Sequence, residues 1–202
     1  MDSRCYWRCA GCQARFLDRD QLPDRETERR EYDQHQNQPD DPGYRRFLNQ
    51  LVAPLLRRIE PASRGLDYGC GPGPALARMM EEAGHTMSVF DPIYAPNPNV
   101  LHGHYDFITC TEVVEHFHDP ATEFERLDAL LRPGGWLGIM TRFQTDDDRF
   151  ANWHYRRDPT HVVFYRPETF EWLGRRFGWE VSCVPPQVVI VAKGTTGKRV
   201  NG

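Results

Sequence analysis

Two carboxylates and two imidazoles are the side chains of this sequence whose types and spacing could support chemistry. TEVVEHFHDP carries Glu112, Glu115 and His116, and His161 follows in RRDPTHVVFY. If a helix begins at Glu112, positions i, i+3 and i+4 share one face and the three side chains converge. Such a set can bind a divalent ion such as Mg²⁺ or Zn²⁺, or act as a metal-free general base. It can also pack or cap with no chemical role, and the residues leave all three alternatives open.

A glycine-rich loop forms a second candidate site. Gly69, Gly71 and Gly73 lie in LDYGCGPGPALARM, between a strand-like stretch and a helix-like one. Glycines let the backbone approach a ligand closely, and the free N–H groups of a helix start face the same place. Pro74 stands where the dinucleotide fingerprint needs a third glycine, so the loop argues against NAD and FAD. A tight turn without a ligand is the alternative.

Asp91 ends the next strand-like stretch, SVFD. Parallel neighbouring strands end at the same edge of a sheet, so its carboxylate should lie beside the glycine loop. An acidic side chain there can accept both hydrogen bonds of a ribose diol. Loop and aspartate together therefore predict a nucleoside-type ligand.

Alternating strand and helix patterns position these residues. From RGLDYG to WLGIMT the chain alternates apolar strand-like runs with helix-like runs, which predicts an α/β fold with a mainly parallel sheet. The last two strands, WEVSCV and QVVIVAK, are too close together for a crossover connection and must form an antiparallel hairpin. PIYAPNPNVLHGH is rich in proline and asparagine, so we expect a loop there, with at most a stub of strand near Val100.

The motif series LDYGCGPG, VFD, YDFITCTEVVEHF and LLRPGGWLGIMT resembles that of class I S-adenosylmethionine-dependent methyltransferases, over residues 65–193. The resemblance implies a Rossmann-like seven-stranded sheet with an antiparallel C-terminal hairpin, whose third strand is short or absent in this chain. It also implies S-adenosylmethionine as the cofactor. The glycine loop would hold its methionine end, Asp91 its ribose and Ile93 its adenine, while Thr111 and Glu112 flank the methionine moiety. The cofactor candidates are Asp67, Gly69, Gly71, Gly73, Asp91, Ile93, Thr111 and Glu112.

A narrower resemblance concerns the catalytic residues. An acid–acid–His run after the fourth strand, with a later histidine before an aromatic segment, is similar to ubiquinone-pathway O-methyltransferases and small-RNA 2'-O-methyltransferases. In those families the set binds a divalent ion that activates a hydroxyl. The resemblance implies Glu112, Glu115, His116 and His161 as metal ligands, with His116, His161 and Glu115 as the catalytic candidates.

The N-terminal part of the chain is predicted to be an appended region. We expect residues 1–60 to form a knuckle remnant and a helical cap or lid, residues 61–194 the methyltransferase domain and residues 195–202 a flexible tail. CYWRCAGC resembles the second knuckle of a zinc ribbon that precedes related domains. A closed zinc site needs four ligands, and no second CxxC exists in the sequence. Either the site is lost, or Cys5 joins with a ligand from elsewhere; we expect the loss, with no structural zinc at Cys9 and Cys12.

The composition limits the classes of partner and acceptor that we expect. The formal net charge is -4 and no long apolar run or signal-peptide core is visible, so we expect a cytoplasmic protein without membrane contact. The acidic balance disfavours nucleic acid. We therefore predict O-methylation of a small-molecule hydroxyl; the alternatives are RNA 2'-O-methylation and a catalytically silent S-adenosylmethionine-binding module. Nothing in the sequence indicates an oligomeric state.

Overall fold

The protein was analysed as a computed structural model that describes residues 4–34, 38–144 and 146–195. Within these ranges the chain forms nine strands in two sheets and five α-helices. The strands are β1 (Tyr6–Arg8), β2 (Arg15–Leu17), β3 (Arg64–Tyr68), β4 (Thr86–Phe90), β5 (Tyr105–Thr111), β6 (Leu131–Met140), β7 (Val163–Phe164), β8 (Trp179–Val184) and β9 (Val188–Lys193). The helices are α1 (Arg25–Tyr32), α2 (Pro42–Leu56), α3 (Ala75–Glu82), α4 (Pro120–Leu130) and α5 (Pro167–Phe177).

The main sheet has the strand order β4-β3-β5-β6-β9-β8. Strands β4, β3, β5 and β6 run parallel to one another, whereas β9 pairs antiparallel with both β6 and β8. This confirms the predicted α/β fold and its terminal hairpin. The sheet has six strands because the third strand of the seven-stranded arrangement is absent.

The connection from β4 to β5 replaces that missing strand. Asp91 and Ala95 form an isolated antiparallel bridge, and a 3₁₀ turn spans Pro98–His102. The loop prediction is therefore correct, but Val100 lies in the turn and not in a strand stub. Prolines disfavour a sheet ladder here because they supply no N–H donor.

Apolar side chains cover both faces of the main sheet. The helices α2 and α3 pack on one face, where Leu51, Leu55 and Met80 are fully buried against β5 and β6. On the other face, α4 and α5 pack through Phe124 and Phe170. Burial of one side of α2 makes this cap helix part of the core.

Aspartate side chains fix the starts of the two cap helices. Asp24 accepts a hydrogen bond from the Thr27 N–H before α1, and Asp41 accepts one from the Tyr44 N–H before α2. Each carboxylate satisfies an N–H group that has no partner within its helix. The predicted pair of helical segments in the N-terminal region is thus present.

The N-terminal hairpin was not predicted. Strands β1 and β2 pair antiparallel, and β2 pairs with β7 to complete a second, three-stranded sheet. Cys9 and Cys12 lie in the turn between β1 and β2, where the Cys12 N–H lies 3.5 Å from Cys9 Sγ. The domain limits and the lack of zinc remain predictions, and the predicted tail lies beyond the described residues from position 196 on.

Among the described residues, no helix is both long enough and apolar enough to cross a membrane.

Candidate functional site

The candidate site lies at the carboxyl ends of three neighbouring parallel strands. The glycine loop follows β3, Asp91 follows β4, and Thr111 and Glu112 stand at the end of β5. Open α/β sheets bind their ligands at this edge. The fold therefore brings the predicted cofactor residues to one region.

Two positions of the loop require glycine for different reasons. Gly69 has φ 79° and Gly71 has φ 63°, the left-handed region that favours glycine. A Cβ at Gly69 would lie 2.3 Å from Cγ2 of Val113, whereas one at Gly71 would meet no heavy atom within 4 Å. Gly69 thus permits packing inside the protein, and Gly71 borders open space that a ligand could fill.

The carboxylate of Asp91 joins the loop to the end of β4. One oxygen accepts a hydrogen bond from the Gly71 N–H at 3.0 Å. The other accepts from the N–H groups of Ile93 and Tyr94, at 2.8 Å and 3.0 Å. These bonds place Asp91 beside the glycine loop, as the sequence predicts.

Asp67 and Thr111 differ in what they face. Asp67 is 4% exposed and accepts a hydrogen bond from Thr109 Oγ1 at 2.7 Å. Burial raises the pKa of its carboxyl to about 6, although hydrogen bonds from Thr109 and from the Ala77 N–H act in the opposite direction and lower it. Asp67 therefore ties β3 to β5 and to the start of α3. The buried Thr111 Oγ1, in contrast, has no hydrogen-bond partner among the described residues.

The helix on which the convergence of Glu112, Glu115 and His116 is conditional does not begin at Glu112. Glu112 has φ 52°, a 3₁₀ turn spans Val114–His116, and α4 begins only at Pro120. A left-handed conformation at a residue other than glycine is rare and is found preferentially at functional sites. Glu115 and His116 are thus oriented by an irregular turn, not by the i, i+3, i+4 face of a helix.

Tyr155 connects the two carboxylates. Its Oη donates a hydrogen bond to Glu115 Oε1 and lies 3.1 Å from Glu112 Oε2. Glu112 Oε1 and Glu115 Oε2 are both buried with no hydrogen-bond partner among the described residues. Burial raises the pKa of Glu112 to about 7; burial, reinforced by the neighbouring Glu112, raises the pKa of Glu115 well above its ordinary value.

Backbone carbonyls orient the two histidines. His116 Nδ1 lies 2.9 Å from the Thr160 carbonyl oxygen, and His161 Nδ1 lies 2.6 Å from that of Tyr155. In the neutral ring each Nδ1 then carries the proton, and Nε2 is the basic nitrogen. His161 Nε2 lies 3.7 Å from Asp158 Oδ2. The ring centroids are 4.8 Å apart.

Glu115, His116 and His161 form a close cluster, although they come from two distant parts of the chain. Their ligand atoms all lie within 4.8 Å of one another. Glu112, the fourth predicted metal ligand, is outside this group and is linked to it through Tyr155. The roles of all these residues remain predictions.

The cap helix α1 lies against this cluster. The Tyr32 ring packs edge-on against His116 at 5.2 Å, and Glu28 contacts His118 at 3.0 Å. The Tyr94 hydroxyl donates to Asp33 at 2.6 Å, just after the helix. No local sequence pattern assigns Tyr32 to His116 or Tyr155 to the two carboxylates, because these contacts join distant parts of the chain.

Comparison with known proteins agrees with this geometry. The family described as "Methyltransferase domain" matches residues 34–184. The ubiquinone biosynthesis O-methyltransferase of Albidiferax ferrireducens is 30% identical over 121 residues, 46% of this chain and 48% of that protein. The protein of the same name from Leptothrix cholodnii is 46% identical over 37 residues, 18% of this chain and 16% of the relative. The matches thus span about half or less of these relatives.

Solved structures share the fold at low sequence identity. A SAM-dependent methyltransferase from Archaeoglobus fulgidus superposes with a TM-score of 0.57 at 18% identity, covering 74% of this chain and 94% of that one. The 1,6-didemethyltoxoflavin-N1-methyltransferase of Burkholderia thailandensis, solved with bound S-adenosylhomocysteine, has a TM-score of 0.56 at 18% identity and covers 97% of both chains. With the family match over most of its length and the glycine loop at the carboxyl edge of this sheet, the chain belongs to the class I S-adenosylmethionine-dependent methyltransferases.

Proposed function

We propose that this protein transfers a methyl group from S-adenosylmethionine to a hydroxyl group of a small molecule. The observation that carries the proposal is the cluster of Glu115, His116 and His161 within 4.8 Å at the edge that also carries the glycine loop. The names of the curated relatives, ubiquinone biosynthesis O-methyltransferases, point to the same type of acceptor.

The residues at this edge fit S-adenosylmethionine. Gly71 borders open space, and Asp91 beside it retains acceptor capacity for one ribose hydroxyl, since a carboxylate has about four lone-pair sites and three are in use. Thr111 Oγ1 and Glu112 Oε1 are buried polar atoms without a hydrogen-bond partner in the described part of the chain, and a bound ligand would supply one. These features support the assignment of Gly71, Asp91, Thr111 and Glu112 to the cofactor, while Gly69, Gly73 and Ile93 remain predicted cofactor residues. Asp67 would act behind them, through the sheet and α3.

A hydroxyl acceptor needs a base. In the transfer, the acceptor oxygen bonds to the methyl carbon as the carbon–sulfur bond breaks, and the hydroxyl proton must leave. His116 or His161 can accept that proton at Nε2, because their Nδ1 atoms are held by backbone carbonyls. Positioning of the acceptor against the methyl group supplies much of the remaining acceleration.

The cluster also fits a divalent ion. It combines a carboxylate with two imidazoles, and Glu115 Oε2 is buried without a partner among the described residues. Glu115, His116 and His161 would hold the ion, with Glu112 as the fourth candidate. When bound, such an ion is a Lewis acid that lowers the pKa of a coordinated hydroxyl.

The charge and the cluster bear on the two alternatives. The net charge of -4 does not favour RNA as the acceptor, and neither does the N-terminal region, where basic and acidic side chains are equal in number. A silent cofactor-binding module would need the glycine loop and Asp91, but it would not need two histidines beside the buried Glu115. We keep cytoplasmic localisation as a prediction.

Calorimetry and a methyl-transfer assay test the proposal together. Chelator-treated protein is titrated with S-adenosylmethionine and S-adenosylhomocysteine, with and without Mg²⁺ or Zn²⁺, and transfer is then measured on a panel of phenols and an RNA. We expect binding of both ligands and transfer to a phenol. Binding without transfer to any acceptor would favour the silent module, transfer to RNA alone would favour the first alternative, and no binding would overturn the cofactor assignment.

A further inference from the structure

Tyr155 touches three of the four residues predicted to do the chemistry. Its hydroxyl contacts Glu112 and Glu115, its backbone carbonyl lies 2.6 Å from His161 Nδ1, and its ring lies 4.2 Å from the His161 ring. Tyr155 itself is 9% exposed. It belongs to none of the sites predicted from the sequence.

The direction of the hydroxyl proton is set by its surroundings. The Arg142 N–H lies 3.5 Å from Oη and can only donate to it, and Thr141 Oγ1 lies 3.4 Å away, farther than either carboxylate oxygen. The single hydroxyl proton is therefore directed toward the carboxylates. Each carboxylate thus turns one oxygen to Tyr155. The other oxygens, Glu112 Oε1 and Glu115 Oε2, have no hydrogen-bond partner among the described residues.

This arrangement would be costly if it served packing alone. A buried carboxylate oxygen without a partner loses its hydration and gains no hydrogen bond in exchange, which destabilises the fold. The ring of Tyr155 already packs against Phe164 and Trp153, and a phenylalanine could do the same. The hydroxyl is therefore the part of the side chain that packing does not explain.

We propose that Tyr155 is a positioning residue that fixes the two carboxylates so that Glu112 Oε1 and Glu115 Oε2 remain available to ligand or substrate, while its carbonyl orients His161. The proposal rests on the proposed function, because it assigns these oxygens to the methyl-transfer site. Tyr155 acts through Glu112, Glu115 and His161 and is not itself a catalytic residue.

Tyr155→Phe removes the hydroxyl and keeps the ring and the carbonyl. Tyr105→Phe is the matched control: Tyr105 is fully buried, and its hydroxyl donates to the Val100 carbonyl at 2.8 Å, at the opposite end of β5. We expect kcat of Tyr155→Phe to fall about 10–100-fold, as for other residues that orient catalytic groups, with the dissociation constant for S-adenosylhomocysteine nearly unchanged. Tyr105→Phe should lower the Tm but leave kcat close to the wild-type value.

A double variant tests whether the hydroxyl acts through a carboxylate. Tyr155→Phe combined with Glu112→Gln should lose little more activity than the worse single variant, because both substitutions disturb the same contact between the Tyr155 hydroxyl and the Glu112 carboxylate. Losses that multiply, or a Tyr155→Phe variant whose kcat matches that of Tyr105→Phe, would overturn the positioning role while leaving the proposed function intact.

Metal titration separates the two proposals if the wild type transfers no methyl group. Mn²⁺ or Zn²⁺ is titrated into the S-adenosylhomocysteine complex of each variant. If Tyr155→Phe weakens metal binding about 10–100-fold and Tyr105→Phe leaves it unchanged, the positioning role stands and the acceptor assignment is overturned. A wild type with neither transfer nor metal binding would overturn both.

Discussion

Replacing Gly71 by alanine isolates the role of the glycine loop in binding. The added Cβ meets no protein atom within 4 Å, so the only structural cost is the left-handed conformation, φ 63°, of an alanine. That cost is about 1–2 kcal/mol, which a typical domain with about 5–15 kcal/mol of stability tolerates. The variant should therefore fold.

Gly69→Ala is the matched control. It carries the same conformational cost at φ 79°, but its Cβ would lie 2.3 Å from Cγ2 of Val113. Overpacking of this kind adds about 1–3 kcal/mol, so the free energy of unfolding should fall by about 2–5 kcal/mol in all. The two variants change the same loop by the same methyl group and differ in what that group meets.

Urea denaturation and calorimetry with S-adenosylhomocysteine distinguish these effects. Gly71→Ala should lose only about 1–2 kcal/mol of stability but bind at least about ten-fold more weakly, a loss of about 1.4 kcal/mol or more, because its methyl group occupies space assigned to the ligand. Gly69→Ala should show the larger loss of stability. Wild-type affinity in Gly71→Ala would refute the reasoning, as would equal destabilisation of both variants.

Three further predictions concern pH, catalysis and the cap. The pKa of Asp67 is raised from 3.8 to about 6 in the folded protein, so folding favours its protonated form and the stability from this group is lost as the pH rises through that interval. The difference in unfolding free energy between Asp67→Asn and the wild type should therefore shift in favour of the variant by up to about 3 kcal/mol as the pH rises from 4 to 7. A difference that does not change with pH would contradict this. His116→Ala and His161→Ala should each lower methyl transfer by about 10²–10⁴-fold with nearly unchanged S-adenosylhomocysteine binding; a comparable loss of binding and folding would show a structural role. Leu51→Ala, in the buried face of α2, should cost about 2–5 kcal/mol by urea denaturation, whereas the exposed Asn49→Ala should change stability by less than about 0.5 kcal/mol; similar small changes in both would show that the cap is not part of the core.

The elements of the main sheet could be predicted from the sequence because each follows from a local pattern. The predicted strand WEVSCV corresponds to β8 without a residue of difference. The short connection between β8 and β9 left an antiparallel hairpin as the one possibility. The glycine loop and Asp91 could also be placed side by side, since parallel strands that pair in register end at the same edge.

Long-range contacts decided the rest. The pairing of β2 with β7 joins residues near positions 16 and 163, and no local pattern in three-residue strands records such a partner. Glu115 and His116 meet His161 because Glu112 takes a left-handed conformation and a 3₁₀ turn follows, whereas the sequence pattern EVVEH suits a helix. No local pattern distinguishes Tyr155 from the other aromatic residues near it in the sequence. Only its packing against His161 brings its hydroxyl to the two carboxylates. The sequence by itself determined which strands of the main sheet form and where the glycine loop lies, because hydrophobic periodicity and glycine act within a few residues. The tertiary structure alone decided the cluster, because its members are held by backbone turns and hydrogen bonds between segments far apart in the chain.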